Sequence, residues 1–267
     1  MKTYLAKIKA TKTENTYKTY EHALLLWFPD RIPKFNSEYI ISKINTWNDV
    51  DSNTKVLRCS ILKAFLRYHY RSHKIRNYDE LYDILSGVKH EEKIPQYVSV
   101  EQYSKIMSIC DNQRLKLVMA LMFENGLRAD EVVSIKVSDY DSENGTIVIR
   151  SPKNHCDRLA ILTPELNKSI QEYPANGDYL IHTCTGHQYN KANMRNEVKA
   201  LCTKAGFPEL HCHSFRHGSA KFLLDNDVDI ATIQNHLGHR NIATTQKYMH
   251  IGTKQKEQVR NLFAGIS

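Results

Sequence analysis

The chain has 267 residues, 41% hydrophobic and 25% charged, which is ordinary for a globular protein able to bury a core in one or two domains. That composition excludes chain-wide disorder and collagen-like repeats, and the longest apolar run, Leu117–Phe123, falls well short of the roughly 20 residues that a membrane span needs. A net charge of +8 points to a polyanionic partner without identifying it.

The N-terminus lacks the apolar stretch of a secretory signal, so the expected location is cytoplasmic. Cys59, Cys110, Cys156, Cys184, Cys202 and Cys212 form no CxxC pair, and the expectation is buried, reduced thiols in place of a disulfide framework or zinc site. Charge is uneven: residues 1–95 hold seventeen Lys+Arg against eleven Asp+Glu, an excess of six.

The first ninety residues read as helices joined by polar turns. Thr16–Phe28 carries one apolar stripe, and Ser37–Trp47 another, with Ser37 as N-cap. In Asp51–Tyr70, Leu57, Ile61, Ala64, Phe65 and Tyr68 share a face at helical spacing. Lys63, Arg67, Arg71 and Lys74 gather on the neighbouring face, and no acid lies between Lys55 and Arg76. Together with Lys55 and Arg58 they make a candidate nucleic-acid-binding surface, because an ordinary helix surface mixes signs.

Ser86–Tyr97 reads as a linker, placing the domain boundary near residue 95. Ser99-Val-Glu-Gln102 is a capping box that opens a new helix. Arg114–Phe123 is a strongly apolar helix that Asn125-Gly126 ends in a left-handed cap, and a short helix, Ala129–Ile135, follows. The period then changes to two β-type runs, Gly145–Arg150 and Arg158–Leu162, around a polar turn. From Lys191 the pattern is helical, with breaks at Asp225–Asp229 and Gly238.

Chemistry-bearing residues punctuate this second part. Arg128 follows a tight glycine turn, Lys153 sits at the hairpin tip, and His213 and Arg216 lie three apart on one helix face. His239 follows Leu237-Gly238, and Tyr248 comes nine residues later. Two guanidiniums can grip the non-bridging oxygens of a phosphodiester, imidazoles can donate hydrogen bonds or move a proton, a lysine can protonate a leaving alkoxide, and a phenol can attack phosphorus. There is no Walker loop, HExxH or carboxylate cluster for Mg²⁺. His211, Cys212, His213 and His217 are metal-capable types, but the arginine among them opposes a cation.

In this order, Gly126-Leu-Arg128-x-x-Glu131, Lys153, His213-x-x-Arg216, Leu237-Gly238-His239 and Tyr248 resemble the motifs of the tyrosine recombinase (phage integrase) family, Xer-like members in particular. One departure is the hairpin turn, Ser-Pro-Lys153-Asn-His, where the family has a Gly-Lys-Gly type. The resemblance implies a mainly α fold with a small β-hairpin or sheet, arranged as a two-domain, C-shaped clamp. Residues 1–90 would be a helical core-binding domain, 91–98 a linker, and 99–267 an α+β catalytic domain with a C-terminal helix. It implies Arg128, Lys153, His213, Arg216, His239 and Tyr248 as catalytic residues, with Glu131 and His217 in support. It also implies a 3′-phosphotyrosine intermediate without metal or ATP, a specific site in double-stranded DNA, and a tetramer on two such sites. The apolar stripe Val259, Leu262, Phe263 and Ile266 would dock on a neighbouring protomer. Type IB topoisomerase-like relaxation of DNA and a non-catalytic helix-turn-helix regulator are the alternatives.

Overall fold

In the computed structural model the described residues are 1–29, 36–73, 77–89, 95–150 and 157–238. The chain divides into two compact units, Met1–Lys93 and Ile94–Ser267.

Among its described residues the first unit has five helices: α1 (Lys2–Thr11), α2 (Glu14–Trp27), α3 (Ser37–Asn45), α4 (Ser52–His73) and α5 (Tyr78–Gly87). Thr13 caps α2 through Thr16 N–H. The cap of α3 is Asn36, whose Oδ1 accepts from Tyr39 N–H at 2.9 Å, one residue before the expected Ser37. Leu24, Trp27, Ile40, Leu62, Phe65 and Leu81 are wholly buried at the centre. There Trp27 meets Trp47 edge-on, ring centroids 4.6 Å apart.

The buried side of α4 differs from the expected stripe. Ile61 and Phe65 face inward as anticipated, but Leu57 is 48% exposed, while Cys59, Leu62 and Leu66 are buried. The helix packs on both α2 and α5, and two contact directions widen and rotate the buried arc.

The second unit opens with α6 (Val100–Ser108), which Ser99 and Gln102 cap reciprocally as expected. Then come α7 (Gln113–Glu124) and α8 (Ala129–Ser134), followed by an antiparallel sheet of β1 (Tyr140–Asp141), β2 (Thr146–Ile149) and β3 (Arg158–Ile161) in that order. The helices α9 (Pro164–Gln171), α10 (Lys191–Lys204), α11 (Cys212–Asp225) and α12 (Ile230–Leu237) follow among the described residues. Between α9 and α10, Cys184 is exposed, in contrast to the expected burial, because it lies in a connecting segment and not on a packed helix. The β2–β3 register pairs Thr146 with Ile161 and Ile149 with Arg158, so Ile147, Ile149 and Ala160 face the core.

Residues Leu115 to Phe123 on α7 form the axis of this core, with Phe215 of α11 fully buried against the same cluster. Gly218 lets α11 approach closely: a Cβ there would collide with the Val98 carbonyl and lie 2.9 Å from Phe123 Cε2. Val98 itself, expected in a linker, is buried and donates its N–H to Ser214 O at 2.9 Å. A small cluster of Ala220, Leu224, Ile233 and Leu237 seats α12 on α11. No described helix is long and apolar enough to cross a membrane.

Candidate active site

Arg128 is the residue immediately before α8, held in extended backbone (φ −77°, ψ 153°) after the turn at Gly126 (φ +60°). One turn into α8, Glu131 reaches back. Its Oε2 accepts from the Arg128 N–H at 2.8 Å, and its Oε1 pairs with Arg128 Nη1 at 2.8 Å. One carboxylate thus fixes both the backbone and the head group of this arginine, a charge-assisted arrangement that stabilises a helix start. The side chain of Arg128 is 32% exposed, and its Nη2 donates to Gly238 O at 3.4 Å.

Arg216, on α11, is buried. Its Nη1 donates to Gly126 O, and its Nη2 to Leu237 O at 2.7 Å. These two carbonyls belong to the turn before Arg128 and to the end of α12, so α11 supplies a strut between the two motifs. Nη1 also lies 4.0 Å from Glu131 Oε2.

A third arginine enters from the sheet. Arg158, the first residue of β3, forms a two-pronged pair with Glu131: Nη1 to Oε1 at 3.1 Å and Nη2 to Oε2 at 2.9 Å. Burial pushes the Glu131 carboxyl up, but the guanidiniums of Arg158 and Arg128 and the Arg128 N–H outweigh it and hold its pKa at about 2. Two of the three positive charges in the cluster therefore remain uncompensated by Glu131.

Histidines surround this cluster. Burial lowers the pKa of His213, helped by the positive charge of Arg195. His217, one turn on, is lowered further, to about 4, by burial first and then by His213 and Arg216. His236, near the end of α12, is lowered by burial and by Arg158 and Arg216. Neutral imidazoles around a phosphate can still donate hydrogen bonds through N–H. Gly238 terminates α12 in the left-handed region (φ +64°) and faces Arg158.

Residues 96–255 match the Phage integrase family, a stretch that includes this whole cluster and every motif position from Arg128 to Tyr248. The chain belongs to the phage integrase family. It is a Xer-like tyrosine recombinase, an enzyme that cleaves and rejoins DNA. Relatives include "Tyrosine recombinase XerA" of Pyrococcus horikoshii, 30% identical over 188 residues, which cover 68% of this chain and 66% of that one. "Tyrosine recombinase XerC" of Staphylococcus aureus is 26% identical over 281 residues, covering 95% of this chain and 91% of the relative. Among solved structures, a lambda integrase tetramer bound to a Holliday junction has the same fold, with TM-score 0.75 and 16% identity over 89% of this chain and 76% of that one.

Of the recombinase residues expected from the sequence, Arg128 hydrogen-bonds Glu131, Arg216 stands 4.0 Å from the same carboxylate, and His213 and His217 flank Arg216 along α11. Lys153, His239 and Tyr248 lie outside the described residues, as does the tail stripe. Arg158 and His236 were not singled out, and a two-residue alternation in β3 gives a charged residue no mark that distinguishes it from a surface arginine. Among the described residues no group of three His, Cys, Asp or Glu side chains could hold a metal ion.

On the first unit, Lys55, Arg58 and Lys63 have partners of their own. Lys55 Nζ lies 3.5 Å from Asn48 O, Arg58 covers the Trp47 ring at 5.0 Å, and Lys63 sits over Tyr82 and donates to Ser86 Oγ at 3.2 Å. Arg67 instead lines an open groove of about 650 Å³ with Lys7, Lys12, Tyr4, Tyr20 and Tyr68. Lys74 and the side chain of Arg71 lie outside the described set.

Proposed function

We propose that this recombinase acts at a specific site in double-stranded DNA by metal-free transesterification. The Tyr248 oxygen attacks the scissile phosphorus, the bond from phosphorus to the 5′-oxygen breaks, and a 3′-phosphotyrosine ester forms. The phenolic proton passes to a neighbouring base or to water, and Lys153 gives a proton to the leaving 5′-oxygen. The freed 5′-hydroxyl of a partner strand then attacks the ester and releases Tyr248, conserving bond energy without ATP.

The observation that carries this reading is the cluster around Glu131. A phosphodiester bears one negative charge, and attack by a deprotonating phenol adds a second to the non-bridging oxygens. The guanidinium charge in excess of the Glu131 carboxylate, fixed in advance by Glu131 and by three backbone carbonyls, supplies the complement at no reorganisation cost. Arg128 and Arg216 contact those oxygens, and His213 and His239 add hydrogen bonds. In the first unit Arg67 and its neighbours contact the DNA backbone, which contributes affinity more than sequence choice. Four protomers on two DNA sites, with the C-terminal stripe of each docked on the next, complete the assembly.

The test is incubation with a nicked suicide substrate, whose cleavage product diffuses away and traps the ester. Wild type should give a denaturant-resistant protein–DNA band, and Tyr248→Phe should give none while still shifting the DNA in a native gel. A band of undiminished strength with Tyr248→Phe would exclude this nucleophile. Relaxation of supercoiled DNA without exchange between paired sites would favour the topoisomerase reading.

A further inference from the structure

We infer that Arg158 is a positioning residue of this reaction, keeping the Glu131 carboxylate from monopolising Arg128. The inference rests on the proposed transesterification and adds to it a third arginine outside the family-like motif positions.

Three observations support it. Both terminal nitrogens of Arg158 are spent on Glu131, at 3.1 and 2.9 Å, and its side chain is only 13% exposed. Both of these hydrogen bonds converge on one carboxylate, and it is through that carboxylate that Arg158 acts. Glu131 is shared: the same oxygens serve Arg128 Nη1 and stand 4.0 Å from Arg216 Nη1. With Arg158 absent, Arg128 would be the nearest guanidinium to a buried carboxylate, at 2.8 Å against 4.0 Å for Arg216, and would be drawn to it and away from a phosphate. Finally, β3 is tied to the arginine-bearing turn at neighbouring points, with Asn125 Nδ2 donating to Ile161 O at 2.6 Å and Thr163 Oγ1 donating to Glu124 at 2.8 Å. These ties hold the C-terminal end of β3, and at its start Arg158 is paired with Ile149 of β2.

Charge arithmetic makes the role testable. Wild type has three guanidiniums and one carboxylate; Arg158→Gln leaves one uncompensated charge, and Glu131→Gln with Arg158→Gln restores two. Single-turnover cleavage of the suicide substrate, at saturating DNA, is measured for wild type, Arg158→Gln, Glu131→Gln and the double variant, with affinity and melting temperature alongside. Arg158→Gln should slow cleavage by about 100-fold with affinity unchanged, the scale of losing one preorganised electrostatic group. The double variant should cleave about tenfold faster than Arg158→Gln, because Arg128 is released to the phosphate. If Arg158→Gln fails to fold, the double variant, which buries no unpaired carboxylate, is compared with wild type directly and should lie within about 30-fold of it. A double variant slower than Arg158→Gln, or more than about 100-fold slower than wild type where the single variant is unfolded, overturns the inference. So does Arg158→Gln cleaving at the wild-type rate. Absence of a covalent band from wild type would instead overturn the proposed function.

Discussion

A Cβ placed on Gly238 would stand 2.9 Å from Nη1 of Arg158. The C-terminal cap of α12 and the first residue of β3 therefore share a space that only a glycine leaves open, beside the position where His239 begins. Gly238 also adopts φ +64°, which costs a residue with a side chain about 1–2 kcal/mol. Gly238→Ala should thus be modestly less stable. Its larger effect should be a cleavage rate reduced about tenfold or more, as Arg158 is pushed from Glu131. Unchanged single-turnover cleavage in Gly238→Ala would show that this contact has slack.

Gly218→Ala should act on stability. Its new methyl meets the Val98 carbonyl and the Phe123 ring, a backbone group and a packed side chain, so the α7–α11 contact must open. The expected loss is about 1–3 kcal/mol, read by urea unfolding. A neutral substitution would mean that the helices separate without penalty.

Acid should destabilise the second unit in two stages. The His217 pKa lies near 4 in the fold against an ordinary value near 6.5, so the unfolded chain binds the extra proton between those limits. Stability therefore falls as pH drops from about 6.5 to about 4, by roughly 1–3 kcal/mol from this group. Glu131, held at about 2, adds a further loss as pH falls below its ordinary value near 4.5. His217→Asn should flatten the melting-temperature profile in the upper window and leave the lower one intact. A profile unchanged by that substitution would mean that His217 titrates alike in both states.

DNA affinity should separate Arg67 from Lys63. Arg67 lines an open basic groove, whereas Lys63 is held by Tyr82 and Ser86. Arg67→Gln should lower the slope of log affinity against log salt by about one, the value for one lost phosphate contact, and Lys63→Gln by less. Equal slopes for both variants and wild type would remove Arg67 from the DNA interface.

Removing Asn261–Ser267 should reduce strand exchange between two sites more than binding to one. Native gels and a two-site recombination assay measure the two separately, and parallel losses would place the stripe on its own protomer.

Much of this protein is local enough to be legible in the chain. Ser99 and Gln102 complete each other's hydrogen bonds within one turn, Asn125-Gly126 closes α7 because a glycine takes positive φ freely, and β2 buries Ile147 and Ile149 at every second position because one face is covered. The motif order from Arg128 to Tyr248 is likewise a linear property, and it identified the family. α9, which Thr163 caps ahead of Pro164, is not among the elements expected from the sequence, and the two-residue strand β1 is too short to show a period.

What the linear pattern did not contain is the meeting of distant charges. Arg158 is 27 residues from Glu131 in sequence, and only closure of the sheet onto α8 turns a strand-end arginine into half of a buried ion pair. The same holds for α4, where packing against two helices buried Leu62 and Leu66 and exposed Leu57. Periodicity reports which residues share a face. It does not report how many neighbours that face will meet, because burial is a sum over elements brought together by the whole fold.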